Sequence, residues 1–387
     1  MASKKKIMIV DDSALMRRVF CDIIDSIDGF EVVKTCKDGV EALEALQSEE
    51  HYDAMILDVE MPRMDGIRLL MEIQDRNINI TTLMASTYTT ENADITIRCM
   101  ELGAVDFIAK PQDISKLKTS AYRAKIETML KVVYTSDINK IKVRPESGVS
   151  VQDRYNEVIE RMSSLRSKRE QSGKTEPDIL QPSAVAKQTS SNGSNRIIAL
   201  ACSTGGPKSL QSVIPFLSRN MDAPCVMVQH MPVGFTKSLA DRLNEISEVE
   251  VTEAADGEVL QKGHVYIAPG GRHLEIVAEA GGNHRIRLND KPAIGGLRPC
   301  ANIMYKSLSY SKYDEIVCVV LTGMGADGTE GITELSKHKK IYVISQDAQT
   351  SIVYGMPKAI AETGLSNEVL PLEMIAGAVV KRVGNRR

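Results

Sequence analysis

The feature that most restricts how this chain can fold is a rhythm. Short apolar runs alternate with longer stretches whose apolar residues recur at helical spacing. In the first third the runs are "IMIV", "FEVVKTC", "DAMILDV", "TTLMAS" and "VDFIAK", and between them lie "SALMRRVFCDII", "GVEALEALQ" and "GIRLLMEIQ". Such alternation predicts βα units wound into a parallel sheet with helices on both faces. The rhythm resumes at Arg196 with "RIIALAC", "CVMVQH", "EIVCVVLTG" and "KIYVISQD", runs apolar enough to be parallel strands buried on both faces. Residues 249–290 are different: "VEVTEA", "GHVYIAPG", "HLEIVAE" and "RIRLND" are short, alternating and broken by glycines, which predicts an antiparallel hairpin insertion. "PLEMIAGAVVKRV" closes the chain as a helix. The expected class is α/β, with two doubly wound parallel-sheet domains, and 387 residues are too many for one ordinary domain.

The expected boundaries are residues 1–130 for the first domain, 131–195 for a linker and 196–387 for the second domain. Inside the linker, 151–170 reads as an amphipathic helix. Val151, Tyr155, Val158, Met162 and Leu165 repeat at alternating steps of four and three, and Ser150 with Asp153 resembles a capping box. The stripe is shorter than a coiled coil needs, so the favoured reading lays it on one of its own domains, with a second chain or partner as the alternative. "PSAVAKQTSSNGSN" has little to bury and reads as a flexible linker.

Composition excludes several classes. A net charge of -3 gives no electrostatic case for nucleic-acid binding. Seven cysteines, with no C-x-x-C pair, read as reduced thiols in a cytoplasmic protein. The opening "MASKKKIMIVDD" has too short an apolar stretch for a signal-peptide core. No segment approaches the roughly 18 uninterrupted apolar residues of a membrane span, so no direct membrane insertion is expected.

Polar residues stand where the N-terminal runs stop. Asp11 and Asp12 end the first strand, Asp58 the third, Ser86 the fourth and Lys110 the fifth. In an open α/β sheet, ligands bind beyond the carboxyl ends of the strands. Converging carboxylates there call for a hard divalent cation such as Mg²⁺. A cation, a hydroxyl and a lysine around one aspartate are what phosphoryl transfer to that aspartate requires. Over residues 4–125, including "LDVEMPRMDG", this half resembles the response-regulator receiver domain, which implies a flavodoxin-like fold. The resemblance implies that Asp58 accepts phosphate from a chemotaxis histidine kinase. It also implies that Asp11 and Asp12 hold Mg²⁺ with the Glu60 carbonyl, that Ser86 and Lys110 contact the phosphoryl group, and that Phe107 occupies the aromatic switch position.

The second half opens on "RIIALACSTGGPKSLQSVI". Ala201 to Gly205 match the G-x-S-x-G nucleophile elbow except at the first glycine. The loop is neither a dinucleotide fingerprint nor a Walker loop, yet a serine at such a turn could equally sit over a phosphate. Ser203, His230 and Asp327 each follow a strong apolar run. Parallel strands would bring them to one sheet edge, as attacker, base and orienting carboxylate. Cys202 is a rival nucleophile, although strand alternation turns it to the opposite face, and Asp327 between glycines could be a turn former. His264, His273, His284 and His338 read as surface or hydrogen-bonded residues, and no Cys/His spacing supports zinc.

"STGGP", "VQHMPVGFTKSLADRLN", "GHVYIAPGGRHLEI", "VLTGMGADGTEG" and "VYGMPKAI" together make residues 196 to about 380 resemble the chemotaxis protein-glutamate methylesterase family, with a Rossmann-like α/β fold. That resemblance implies Ser203 as nucleophile, His230 as general base and Asp327 as its orienting acid, with Thr204 and the Met324 backbone at the oxyanion pocket. It implies methylated chemoreceptor cytoplasmic domains as substrate, a glutaminase activity by the same chemistry, no cofactor at the esterase site and a receiver that covers the site until phosphorylated. The chain departs from the family pattern at Ala201-Cys202, where Gly-Ala is usual, and at Cys300 and Asn302 in "RPCAN". It also shows no aromatic-acidic tethering pentapeptide at its tail. The competing expectation is a response regulator whose α/β output domain binds a nucleotide or partner without catalysis.

Overall fold

The computed structural model describes residues 4–87, 90–111, 113, 115, 117, 119–135, 150–172 and 195–386. The Ser/Asn-rich stretch read as a flexible linker lies outside the described residues, apart from Asn195 at its end.

The N-terminal unit runs β1 (Lys5–Val10), α1 (Ala14–Ile24), β2 (Phe30–Cys36), α2 (Gly39–Leu46), β3 (Ala54–Asp58), α3 (Gly66–Asp75), β4 (Thr81–Thr87), α4 (Thr90–Glu101), β5 (Asp106–Lys110) and α5 (Ser120–Thr135). Its five strands are ordered β2-β1-β3-β4-β5 and pair in parallel throughout. Every residue of β3 is buried, as the run "AMILD" requires when helices cover both faces. Polar side chains at the strand-to-helix turns cap the helices. Ser13 accepts from the Met16 N–H, Asp38 from Val40 and Glu41, and Asp65 from Arg68, each satisfying donors that a helix start leaves without partners.

A 22-residue helix, α6 (Val151–Ser172), follows. The Ser150–Asp153 cap is present, with Ser150 Oγ accepting from the Asp153 N–H at 3.1 Å. The helix lies against α3, and Val151, Tyr155 and Val158 pack on the sheet core. Tyr155 Oη donates to Asp65 Oδ2 at 2.5 Å, and Arg154 pairs with Asp75 at 3.1 Å. The first half of the stripe thus covers its own N-terminal unit. The side chains of Met162 and Leu165 lie outside the described residues.

The C-terminal unit is built on a seven-stranded sheet ordered β14-β13-β12-β6-β7-β9-β8. Its strands are β6 (Arg196–Cys202), β7 (Cys225–Gln229), β8 (Glu250–Glu253), β9 (His264–Ile267), β12 (Glu315–Val320), β13 (Lys340–Gln346) and β14 (Ser366–Leu370). The helices are α7 (Gly206–Gln211), α8 (Phe235–Ile246), α9 (Ala301–Ser307), α10 (Thr329–Ser336), α11 (Met356–Glu362) and α12 (Leu372–Val383). The hairpin expected over 249–290 is half right. Only β10 (His273–Ala278) and β11 (His284–Asn289) pair antiparallel. β8 and β9 instead extend the main sheet in parallel, because α8 returns the chain to the sheet in the direction of β7 and all of β9 is buried. The edge strand β14 has no counterpart among the expected runs, since "SNEVL" carries three polar residues and none of its five residues is buried.

Strand order reverses on either side of β6: β7 with β9 and β8 lie one way, β12 with β13 and β14 the other. The crevice beyond the carboxyl end of β6 is therefore the topological switch point, where an open α/β sheet places its ligand.

Candidate active site

That crevice gathers the three C-terminal candidates. Ser203 follows β6 directly, and its N–H donates to the Thr322 carbonyl at 3.0 Å. Gly205 turns the chain with φ of +75°, after which Pro207 stands in the first turn of α7. An added Cβ on Gly205 would also come 2.8 Å from Ile352, so only glycine fits. His230 follows β7, and its N–H donates to the Cys202 carbonyl at 3.3 Å. Asp327 comes from the loop after β12.

Asp327 Oδ2 lies 2.8 Å from His230 Nε2 and accepts the Ala301 N–H at 2.6 Å. Oδ1 accepts the Asn302 N–H at 3.0 Å and the Cys300 thiol at 3.2 Å. Burial pushes this carboxyl up, but the hydrogen bond and charge of His230 and the two amides outweigh it. The net effect lowers it from 3.8 to about 2. An ionised carboxylate accepts only, so His230 Nε2 must carry the proton it shares with Asp327. In the neutral ring Nδ1 is then the unprotonated nitrogen, free to act as base. Among the described residues Ser203 Oγ makes no hydrogen bond, consistent with catalytic contacts that tighten only around substrate. No hydrogen bond among the described residues claims the backbone N–H of Thr204 or Met324 either, leaving both donors available for a developing oxyanion.

The departures at Cys300 and Asn302 acquire roles. Both hold Asp327, and Asn302 Oδ1 also accepts the Gly328 and Gly331 N–H groups at 3.0 and 2.7 Å, tying the Asp327 loop to the start of α9. Burial first, then the Asp327 charge, pushes the Cys300 thiol up to about 12. Cys202 is fully buried, and burial drives its thiol well above the usual range, so it holds no thiolate for attack. Four of the other five histidines bond structurally: His264 to Thr252, His273 to the Pro292 carbonyl, His284 to the Lys312 N–H and His338 to Glu334.

At the carboxyl edge of the N-terminal sheet, Asp11, Asp12 and Asp58 present oxygens within 4.8 Å of one another. Lys110 Nζ sits 2.7 Å from both Asp11 and Asp58. Burial pushes Asp58 up to about 6, with Lys110 opposing and the Asp11 charge adding. Ser86 is beside this group but engaged elsewhere, its hydroxyl hydrogen-bonded to Thr96 of α4 at 2.8 Å. Glu60 is exposed.

Phe107 faces the other unit. It stacks on Phe235 at the start of α8, with ring centroids 4.4 Å apart and planes 15° from parallel. Around it α4 packs on α8 and α7, the helix that leads out of the Ser203 turn. The Asp106 carboxyl, which accepts the Phe107 N–H at 2.8 Å, is raised by burial, with Thr204 opposing that rise. Met324, Ile352 and Val353 pack with the apolar cluster of α1 and α5. Farther out, Glu101 accepts from Arg242 at 2.5 and 3.3 Å, and Arg98 reaches Glu245 at 3.1 Å. Within each unit the partners close the square, Arg98 to Glu101 at 3.3 Å and Arg242 to Glu245 at 2.6 Å.

The chain was compared with known proteins. A family model described as CheB methylesterase matches residues 198–379, and one described as response regulator receiver domain matches residues 7–122. A protein-glutamate methylesterase/protein-glutamine glutaminase of Pyrococcus horikoshii is 40% identical over 99% of this chain and 95% of its own. Its namesake in Geobacillus kaustophilus is 37% identical over 98% of this chain and 99% of its own. The crystal structure of the Thermotoga maritima CheB methylesterase catalytic domain is 42% identical, covers 49% of this chain and 100% of its own, and gives a TM-score of 0.47. Among the described residues no helix is long and apolar enough to cross a membrane.

Proposed function

The chain belongs to the protein-glutamate methylesterase/protein-glutamine glutaminase family of chemotaxis, and from that membership we propose a cytoplasmic serine esterase switched by phosphorylation of its receiver domain. Residues 1–130 are the receiver, 131–195 the linker and 196–387 the catalytic domain. A non-catalytic output domain is set aside by the family to which the chain belongs. The observation that carries the reading is the His230–Asp327 pair beside Ser203 at the switch point of the sheet.

In the proposed reaction, His230 Nδ1 takes the Ser203 proton as Oγ attacks the methyl-ester carbonyl of a glutamate on a chemoreceptor's cytoplasmic helices. The oxyanion is held by the backbone N–H groups of Thr204 and Met324. His230 returns the proton to the departing oxygen, methanol leaves, and an acyl-enzyme remains. Water, deprotonated by the same nitrogen, then releases the free glutamate carboxylate and restores Ser203. A receptor glutamine enters identically and loses ammonia. Asp327 stays ionised throughout and stabilises the imidazolium.

Asp58 is the proposed phosphoacceptor, served by a chemotaxis histidine kinase. Asp11, Asp12 and Asp58, with the Glu60 carbonyl, form an all-oxygen donor set suited to Mg²⁺. When bound, the cation neutralises charge on the incoming phosphoryl group. Lys110 already bridges Asp11 and Asp58 and would hold the phosphoryl oxygens, whereas Ser86 must leave Thr96 to reach them. That exchange disturbs α4, which with Phe107 forms the contact over α7 and α8, so phosphorylation biases the interface toward opening.

Methanol release from methylated receptor membranes tests the nucleophile. Ser203→Ala should lower kcat by ~10⁴-fold or more, and a fluorophosphonate adduct on the wild-type chain should map to Ser203 and not to Cys202. Activity retained in Ser203→Ala removes the assignment.

A further inference from the structure

We infer that Gln229 is a positioning residue for the esterase reaction: its side-chain amide bolts the nucleophile to the base, and the Cys202 thiol helps lock that amide in orientation. The inference rests on the esterase reading above.

Gln229 is the last residue of β7 and is 2% exposed. In the parallel register it stands opposite Cys202, the last residue of β6. Ser203 and His230 are therefore the first residues past the last paired positions on adjacent strands, where a single backbone bond, from the His230 N–H to the Cys202 carbonyl at 3.3 Å, still links the two strand ends. The Gln229 amide reinforces that link. Its Nε2 donates to the Ser203 carbonyl at 3.0 Å and to the His230 carbonyl at 3.3 Å. An amide nitrogen has two N–H donors, and both are spent on the backbones that carry attacker and base. The Ser203 carbonyl also accepts the Gly206 N–H at 2.7 Å, so both its lone pairs are held and the peptide plane behind Oγ is fixed.

The other end of the amide explains Cys202. Oε1 accepts the Cys202 thiol at 3.0 Å. Turned over, the amide would aim its oxygen at two carbonyl oxygens and its NH₂ at a donor thiol, leaving buried polar atoms unsatisfied. The two carbonyls and the thiol together therefore select the orientation in which the nitrogen faces the catalytic backbones. Space for this arrangement is provided by Gly206, where an added Cβ would lie 1.9 Å from Oε1 and 3.2 Å from the Cys202 Cβ. Cys202, Gly206 and Gln229 thus form one cradle beneath the site. None of the three touches substrate in this account, and all act through Ser203 and His230.

The test uses the full chain with a small-molecule phosphodonor. It measures kcat and KM for methanol release, the rate at which a fluorophosphonate labels Ser203, and the thermal midpoint. Gln229→Met keeps length and volume but donates nothing. A loss of alignment on the ångström scale costs on the order of 10²-fold. We expect kcat and the labelling rate to fall together by about that factor, with KM within about 2-fold. Gln229→Glu keeps an acceptor for Cys202 and offers at most one O–H donor, so it cannot hold both carbonyls and should show the same split if the Met variant fails to fold. Cys202→Ser retains a donor to Oε1 and should stay within about 3-fold of wild type. The inference is overturned if folded Gln229 variants, counted by active-site titration, label and turn over within about 3-fold of wild type. Failure of the wild-type chain itself to label at Ser203 would instead overturn the esterase reading.

Discussion

Glu101→Gln isolates the electrostatic part of the contact between the two units. Glu101, on α4, accepts Arg242 Nε at 2.5 Å and Nη2 at 3.3 Å and also meets Arg98 at 3.3 Å. Its side chain is 17% exposed, between the solvent-screened pairs worth ~0–1 kcal/mol and the charge-assisted bonds worth ~1.5–3 kcal/mol. A value of ~2 kcal/mol is reasonable for the closed arrangement. In an opened arrangement both partners are hydrated, so the loss falls on the closed state alone. At about 1.4 kcal/mol per factor of ten, the closed-to-open ratio drops ~30-fold. Methanol release by the unphosphorylated chain should therefore rise by up to ~30-fold, while the fully phosphorylated rate stays unchanged. Raising ionic strength should produce a weaker version in wild type by screening the same square of charges. In a double-mutant cycle with Arg242→Gln the second substitution should add little. An unphosphorylated rate within about 1.5-fold of wild type, with no coupling to Arg242, would refute the claim that this contact holds the site closed.

Two further predictions follow from named contacts. Asp327 titrates at about 2 rather than 3.8 in the folded chain, which contributes ~2 kcal/mol of stability above about pH 4 that is lost as pH falls through 2. The stability gap between wild type and Asp327→Asn should thus be largest near neutrality and shrink below pH ~4, and kcat should drop ~10⁴-fold as the ring loses its tautomer. A gap independent of pH in urea titrations would contradict this. Tyr155→Phe removes the hydroxyl donated to Asp65 and should destabilise the receiver by ~1 kcal/mol in urea unfolding. An unchanged midpoint would detach α6 from the end of α3.

How much of this is legible in the sequence depends on whether a residue's role is set by its own strand or by another element. Asp58, Ser203 and His230 follow strongly apolar runs, and parallel pairing puts every strand end of one sheet on one edge. Their convergence is therefore readable without coordinates. The strands β8 and β9 defeat pattern reading because four-residue runs alternate whether they pair in parallel or antiparallel, and only the path of α8 decides. Gln229 looks like the polar end of an apolar run. Its value lies in two carbonyls and a thiol contributed by neighbouring turns. Arg98 with Glu101 and Arg242 with Glu245 each read as a solvated i,i+3 pair on a separate helix. They become a square only when the helices are docked.

The most direct test of the central claim is the rate of methanol release from methylated receptor membranes, measured before and after addition of acetyl phosphate with Mg²⁺, for wild type and Asp58→Asn. The account predicts that wild type accelerates by at least about 10-fold, a shift of ~1.4 kcal/mol in the interface equilibrium, while Asp58→Asn keeps the unstimulated rate and does not respond. Equal stimulation of both proteins, or none in wild type, would contradict a serine esterase governed by the phosphorylation of Asp58.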